Sequence, residues 1–422
     1  MRSLIAVSLL FAAATATPVS KRSAHNRALF GLIKEDPEVK LDTEGIIKRW
    51  DYPAEKHDVT TEDGYILTIF RIPHGKSQEA TPKTPRPVVL IQHGLLGSSD
   101  MWVNNLPNQD AAFLYAEAGF DVWLGNFRGN KYGRRHVSLS ADKDKMKFFD
   151  FSWPEMSKYD LPAMINHILK TSNAPYVYYI GHSMGTLTMF VKLSQDKEFA
   201  KKVKRFYALA PVLKLENVKG LVGILSNFLG TIDNTLYYAG MEEFLPPTWL
   251  TKQFGQYVCG STEFVGSMVC ANTLFMIAGP SSLQLNNTRL PVYLAHTPAG
   301  TSRRTFIHLG QMIKNGRIGQ YDHGAAENKR RYGSEIPPQY DVSSLETPTA
   351  LYWGDSDWLA TDKDVRNMLP KLKSVFSKAY LGEFNHMDFL WGSRAPWEIY
   401  IPIREDIVKD FESSNSENNA SS

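Results

Sequence analysis

The chain is expected to fold as an α/β protein, a mostly parallel sheet wrapped by helices and interrupted once by a largely helical insertion. Three observations predict this. Short apolar runs alternate with helix-spaced segments: "VVLIQHG" at Val88, "FDVWLGN" at Phe120, "YVYYIG" at Tyr176, "RFYALA" at Arg205, "ALYWG" at Ala350 and "KAYLG" at Lys378. Such alternation builds parallel strands joined by helical crossovers. The rhythm stops between 213 and 345, where helical spacing continues with few strand signals. At 422 residues and 43% hydrophobic content, the chain can bury a full core and is too long for one small domain.

Taken in order, the opening "MRSLIAVSLLFAAATATPVS" carries Arg2, an apolar run from Leu4 to Ala14, and small residues Ala14 and Ala16 framing a cut. Residues 1–16 therefore read as a secretory signal peptide. That run is too short to span a membrane, and no later stretch approaches ~18 uninterrupted apolar residues, so no transmembrane segment is expected. Residues 17–35 form an N-terminal segment or a propeptide. Lys21 and Arg22 fit either a dibasic processing point or a solvated surface pair. Next, "KHDVTTEDGYILTIFRIPHG" places two β-rich runs around Asp63 and Gly64, the pattern of a hairpin. Pro82, Pro85 and Pro87 then mark a loop.

The sheet-building core is expected over 36–212 and 346–411, with 213–345 as a cap inserted into it and 412–422 as a tail too polar to fold. Within the insertion, "GLVGILSNFLGTI" puts Leu221, Leu225, Phe228 and Leu229 on one helical face that Val222 and Ile224 widen, and such a stripe reads first as core. The same insertion holds both cysteines, Cys259 and Cys270, which in an exported protein either pair across a short loop or stay as two buried thiols. Asn286 in "NNT" and Asn419 in "NAS" satisfy the glycosylation rule. Forty-seven basic against 44 acidic side chains leave a formal charge of +3 without long like-charge runs, which argues against nucleic acid as a partner. Oligomeric state is not legible.

The chemistry centres on "VYYIGHSMGTLTMF", where a buried strand from Tyr176 to Ile180 meets a helix from Thr186 to Leu193. Between them "GHSMG" is a nucleophile elbow. The turn is too tight for side chains at Gly181 or Gly185, and it holds Ser183 in a strained, exposed conformation above the sheet. The helix start below favours negative charge developing on an attacked carbonyl.

A serine at its ordinary pKa needs a base, and in this arrangement an acid and then a histidine follow in chain order. Of the downstream histidines, only His386 in "LGEFNHMDF" lies beyond the last strand, just before a closing helix that begins near Pro396. His296, His308 and His323 fall in the insertion and read as packing or surface residues, while His93 and His182 precede or adjoin the serine and read as structural. The acid belongs in the turn of "ALYWGDSDWLA". Asp355 and Asp357 both qualify, with Asp357 better placed to return over the sheet edge and Asp355 better suited to capping the turn. Its role is to hold the imidazole tautomer and stabilise the imidazolium. Asp362 and Asp364 read as helix-start residues. The turn "QHGLLGSS" after the Val88 strand supplies the oxyanion donors together with the elbow, namely the backbone amides of Leu95 and Met184. Nothing in this chemistry calls for a metal or a cofactor.

With these pieces in place the chain resembles the acid lipases, the group of gastric and lysosomal acid lipases within the α/β-hydrolase superfamily. The resemblance runs from about Glu35 to Ile407 through "DGYILTIFRIPHG", "QHGLLGSSDMWV", "GFDVWLGNFRGNKYGRRH", "FFDFSWPEMSKYDLPAMI", "IGHSMGT", "AHTPAGTS", "YWGDSDWLA" and "FNHMDFLWG". It implies an α/β-hydrolase fold, a nucleophile at Ser183, an acid at Asp357, a base at His386, and oxyanion amides at Leu95 and Met184. It also implies a cap and lid over an acyl site, with a disulfide matching Cys259 and Cys270. A third cysteine often seen in the family is absent, Ala278 standing in that region. The expected activity is hydrolysis of neutral-lipid esters at a lipid–water interface by a secreted or endolysosomal enzyme. Two rivals use the same scaffold: a lipid carrier without catalysis, and an acyltransferase or thioesterase with the same triad.

Overall fold

A computed structural model of the chain describes residues 36–78, 85–246 and 275–421, and of 417–421 the backbone alone. The expected signal peptide, the segment that follows it to residue 35, and Cys259 and Cys270 lie outside the described residues.

The strands are β1 (Glu55–Thr60), β2 (Tyr65–Ile72), β3 (Val88–Gln92), β4 (Asp121–Gly125), β5 (Arg135–His136), β6 (Val177–His182), β7 (Val203–Leu209), β8 (Glu243–Phe244), β9 (Thr301–Ser302), β10 (Thr349–Gly354) and β11 (Val375–Leu381). The main sheet runs β1-β2-β4-β3-β6-β7-β10-β11, with β5 paired to β2. Its first two pairings are antiparallel, β1 with β2 and β2 with β4. Every later one is parallel. This is the mostly parallel α/β-hydrolase sheet, opened by the expected hairpin.

Burial explains the sequence pattern strand by strand. β3, β4, β6 and β10 are buried at every position, as befits strands covered on both faces, and their sequences are continuous apolar runs. The edge strands β1 and β11 alternate instead. One register then positions the site. Gln92 of β3 stands beside Gly181 of β6, Gly181 beside Ala208 of β7, and Ala208 beside Leu351 of β10. The carboxyl ends of these strands therefore share one edge, where open α/β sheets place their ligands.

Helices α1 (Leu161–Ser172) and α2 (Met184–Gln195) belong to the sheet-forming part. The stretch between β7 and β10 contains α3 (Gly220–Ser226), α4 (Leu229–Tyr238) and α5 (Arg303–Asn315), together with the antiparallel β8–β9 ribbon. Here the expected apolar stripe is corrected. Leu221, Leu225, Phe228 and Leu229 do not share one helix, because α3 ends at Ser226 and α4 begins at Leu229. Polar side chains end α3: the Ser226 hydroxyl donates to Gly223 O at 2.7 Å, and the Asn227 amide donates to Ile224 O at 3.2 Å. Nor is the stripe core, since Ile224 is 61% and Phe228 58% exposed. Leu229 alone of the set is buried, against Gly310 of α5.

At the C-terminus a π-turn at Pro396–Tyr400 leads into α6 (Ile401–Ser421). Residues 412–421, expected to stay unfolded, continue this helix through Asn419. The reason is cooperativity: with Ile403 and Ile407 buried and Asp410 accepting from the Tyr178 hydroxyl at 2.7 Å, nucleation is already met, and each further residue adds one bond. The serines join the helix, Ser413 donating to Lys409 O and Ser414 to Asp410 O.

Candidate active site

Ser183 lies between β6 and α2 with φ 53° and ψ −120°, outside the comfortable regions for a residue bearing a Cβ. The flanking glycines permit this. A Cβ on Gly181 would come within 3.0 Å of the Gly185 backbone, and one on Gly185 within 2.7 Å of His93 O. Ser183 N donates to Leu209 O at 3.0 Å, tying the elbow to β7.

The structure brings His386 and Asp357 to this serine. Ser183 Oγ is 2.8 Å from His386 Nε2, and His386 Nδ1 is 2.8 Å from Asp357 Oδ2. Asp357 is fully buried, and its other oxygen accepts from the amides of Leu359 and Ala360 at 2.8 and 2.9 Å. Those two donors hold the carboxylate in one orientation, so the imidazole faces a fixed acceptor. Asp355 is exposed and turned elsewhere, accepting from Glu383 N at 2.8 Å and so joining the loops after β10 and β11. The arrangement can relay a proton from the hydroxyl to the imidazole and stabilise the cation that results.

Two neighbours support His386. The ring of His182 lies 4.7 Å from it, and His182 Nε2 donates to the His386 carbonyl at 3.0 Å. Burial pushes His182 well below the ordinary histidine range, so no second cation competes beside His386. Asn385 orders the turn on the other side, its side-chain oxygen accepting from Met387 N at 2.9 Å and its amide donating to Pro280 O at 3.0 Å.

The loop after β3 packs against the elbow from the opposite side. A Cβ on Gly94 would stand 2.8 Å from Ser183 Cβ, so the backbone carrying Leu95 passes beside the serine. Among the described residues no protein acceptor takes the amides of Leu95 or Met184. Asp100 anchors the loop from within: fully buried, it accepts from the hydroxyls of Thr43 and Tyr132 at 2.6 and 2.7 Å and pairs with Lys131. His296, expected to be a packing or surface residue, lies buried 3.2 Å from the same carboxylate. His308 lies 2.8 Å from the Ser152 hydroxyl and stacks on Trp153, and His323 packs beside Tyr321. Asn286 starts a short 3-10 turn, its side chain accepting from Thr288 N at 3.2 Å. Among the described residues no cluster of His, Cys, Asp or Glu is placed to hold a metal ion.

Comparison with known proteins decides the family. A model described as "Partial alpha/beta-hydrolase lipase region" matches residues 43–106, and one described as "alpha/beta hydrolase fold" matches 87–240. Lipase lipl-1 of Caenorhabditis elegans is 48% identical over 89% of this chain and 93% of its own length. The gastric triacylglycerol lipase of Rattus norvegicus is 41% identical over 90% and 95%. The human lysosomal acid lipase/cholesteryl ester hydrolase is 41% identical over 87% and 91%.

The chain belongs to the acid lipase family. It is accordingly a carboxylic ester hydrolase. Among solved structures, the α/β hydrolase GrgF from Penicillium sp. sh18 superposes with a TM-score of 0.50 at 16% identity, covering 85% of this chain and 98% of that one, a likeness of fold. Within this acid lipase the sequence reading overlooked two residues. His93, set aside as structural, bonds the peptide that carries the Leu95 amide. Asp388, two residues past His386, accepts from Asn385 N at 2.7 Å beneath the same turn. Its position in "FNHMDF" was the only signal available.

Proposed function

We propose that this lipase hydrolyses acyl esters of neutral lipids, triacylglycerols or sterol esters, through an acyl-enzyme on Ser183. The observation that carries the reading is the unbroken chain from Ser183 Oγ to His386 to Asp357, each link 2.8 Å long. Ser183 attacks the ester carbonyl while His386 takes the hydroxyl proton, and Asp357 stabilises the imidazolium. The amides of Leu95 and Met184 receive the oxyanion. Collapse expels the alcohol, protonated by His386, and water then releases the fatty acid through the same base.

Neutral lipid as substrate is supported by the names of the relatives, which include a triacylglycerol lipase and a cholesteryl ester hydrolase. It is also supported by large apolar residues exposed between β7 and β10, Tyr238 at 85% and Leu283 at 92% beside Ile224 and Phe228, which suit contact with a lipid–water interface. A secreted or endolysosomal location is supported by the signal-like opening and by relatives named gastric and lysosomal. Among the described residues no helix is long and apolar enough to cross a membrane.

The test is Ser183→Ala with labelling by a serine-directed organophosphonate. Ester cleavage should fall by about 10⁶-fold, the scale for losing such a nucleophile, and labelling should vanish while the melting temperature holds. Near-normal turnover would discard the serine mechanism. An unlabelled native protein would mean a carrier, and faster transfer to an added alcohol than to water would mean an acyltransferase.

A further inference from the structure

His93 directly follows β3 and is buried, and its hydrogen bonds determine its protonation. Nδ1 lies 2.7 Å from the Gly94 carbonyl oxygen, which can only accept. Nε2 lies 3.1 Å from Phe127 N and 3.1 Å from the Asn130 side-chain nitrogen, which can only donate. The ring is therefore neutral, with its proton on Nδ1. Burial agrees, pushing the residue down to about 4.

The bond from Nδ1 joins a residue to its immediate neighbour, so it ties no distant parts of the chain together. What it does control is one peptide group. The Gly94 carbonyl and the Leu95 amide are the two ends of that group, and fixing the oxygen fixes the direction of the N–H. A second donor, Gly97 N at 3.2 Å, also reaches the Gly94 oxygen. The intervening Leu96 turns back with φ 58°. A carbonyl that accepts two bonds withdraws electrons from its own nitrogen, which makes the N–H at the other end a stronger donor.

The geometry points to His93 as a positioning residue for the oxyanion site, its Nδ1–H aiming and polarising the Gly94–Leu95 peptide towards the charge that forms on the ester oxygen. This rests on the reading of Leu95 as an oxyanion donor. The interaction matters most when the oxyanion exists, so His93 acts on turnover more than on binding of the uncharged ester. Asn130, which also donates to Gly97 O at 3.2 Å, holds the ring in register with the loop.

Two substitutions separate this role from packing. Asparagine places its amide nitrogen where Nδ1 stands and keeps the bond to Gly94 O; glutamine reaches the Nε2 position and keeps only the contacts to Phe127 and Asn130. On a soluble short-chain ester, His93→Gln should lower kcat by about ten-fold or more with KM nearly unchanged, against the ~10²–10³ lost when a donor is removed outright. It should weaken a trifluoromethyl ketone, which forms the tetrahedral oxyanion on the serine, by the same factor. His93→Asn should recover most of both. Equal losses in the two variants, or losses that follow melting temperature instead of ketone affinity, would overturn the proposal. If neither variant folds, the native protein with ¹⁵N-histidine decides: His93 should carry its proton on Nδ1 and its resonance should shift when the ketone adduct forms, and the opposite tautomer or no shift would overturn the idea. Ser183→Ala reports on the triad separately, since it should lose both the ketone adduct and ester turnover whatever His93 does, and that reading fails only if the alanine variant still turns over the ester.

Discussion

Ser183 shows how much a single residue can be read from its neighbours. Its left-handed φ is permitted by glycines two positions away on either side, so the strained serine was visible in five letters. For the candidate acid the sequence favoured Asp357 over Asp355 only by its place in the turn. Asp355 and Asp357 are two residues apart in one turn, and their difference lies in where each carboxylate points. Asp357 meets His386 in full burial, while Asp355 meets Glu383 N at the surface. We therefore expect Asp357→Asn to cut kcat by about 10⁴-fold, as losing the tautomer-holding acid does in this chemistry. Asp355→Asn keeps an oxygen that accepts from Glu383 N and removes only a surface charge, an effect within ~1 kcal/mol, so the change in kcat should stay below about ten-fold. Steady-state kinetics on one ester reads both, and the reverse ranking would reassign the acid.

At the scale of elements, legibility followed burial. β3, β4, β6 and β10 lie in the middle of the sheet, and their apolar runs announced them. Helix α3 misled because the apolar pattern of 221–229 crosses a break made by Ser226 and Asn227, whose side chains compete for backbone carbonyls. The elbow is the element with the tightest tolerance. Gly185 opens α2 where alanine would ordinarily add up to about 1 kcal/mol of helix stability. Here the added Cβ would stand 3.0 Å from the O of Gln92, the last residue of buried β3, and 2.7 Å from His93 O just past it, both backbone atoms. Overpacking of that kind costs ~1–3 kcal/mol, so the steric term wins. Gly185→Ala should lower the denaturation midpoint and also the activity, because β3 carries the loop with Gly94 and Leu95. An alanine variant as stable as the parent would show that β3 yields more easily than its packing implies.

For the whole molecule, the turn after β11 couples the site to stability. Asp388 is pushed up to about 6 from an ordinary 3.8, chiefly by burial, with the Asp357 charge adding to the effect and Ser282 and Arg394 opposing it. Between those values the folded protein keeps a proton that the unfolded chain has released. Stability from this group therefore falls as pH rises from about 4 to about 6, by at most ~1.4 kcal/mol per pH unit, and then levels off. Asp388→Asn should flatten that slope in denaturant melts taken across the window. Parallel profiles for parent and variant would remove Asp388 as its source.

The sequence by itself determined the alternation of strands and helices, the hairpin, the elbow at Ser183 and the identity of His386. Each rests on sterics or burial patterns confined to a few neighbouring residues, or on order along the chain. Only the tertiary structure showed where the carboxylates of Asp355 and Asp357 point, broke the apolar stripe, carried α6 to Ser421 and gave His93 its single tautomer. Those outcomes depend on partners such as Phe127 and Asn130 for His93, or Tyr178 for α6, that are remote in sequence and meet only when the sheet aligns its strand ends. A hydrogen bond's direction is set by both of its ends, and one stretch of sequence contains only one of them.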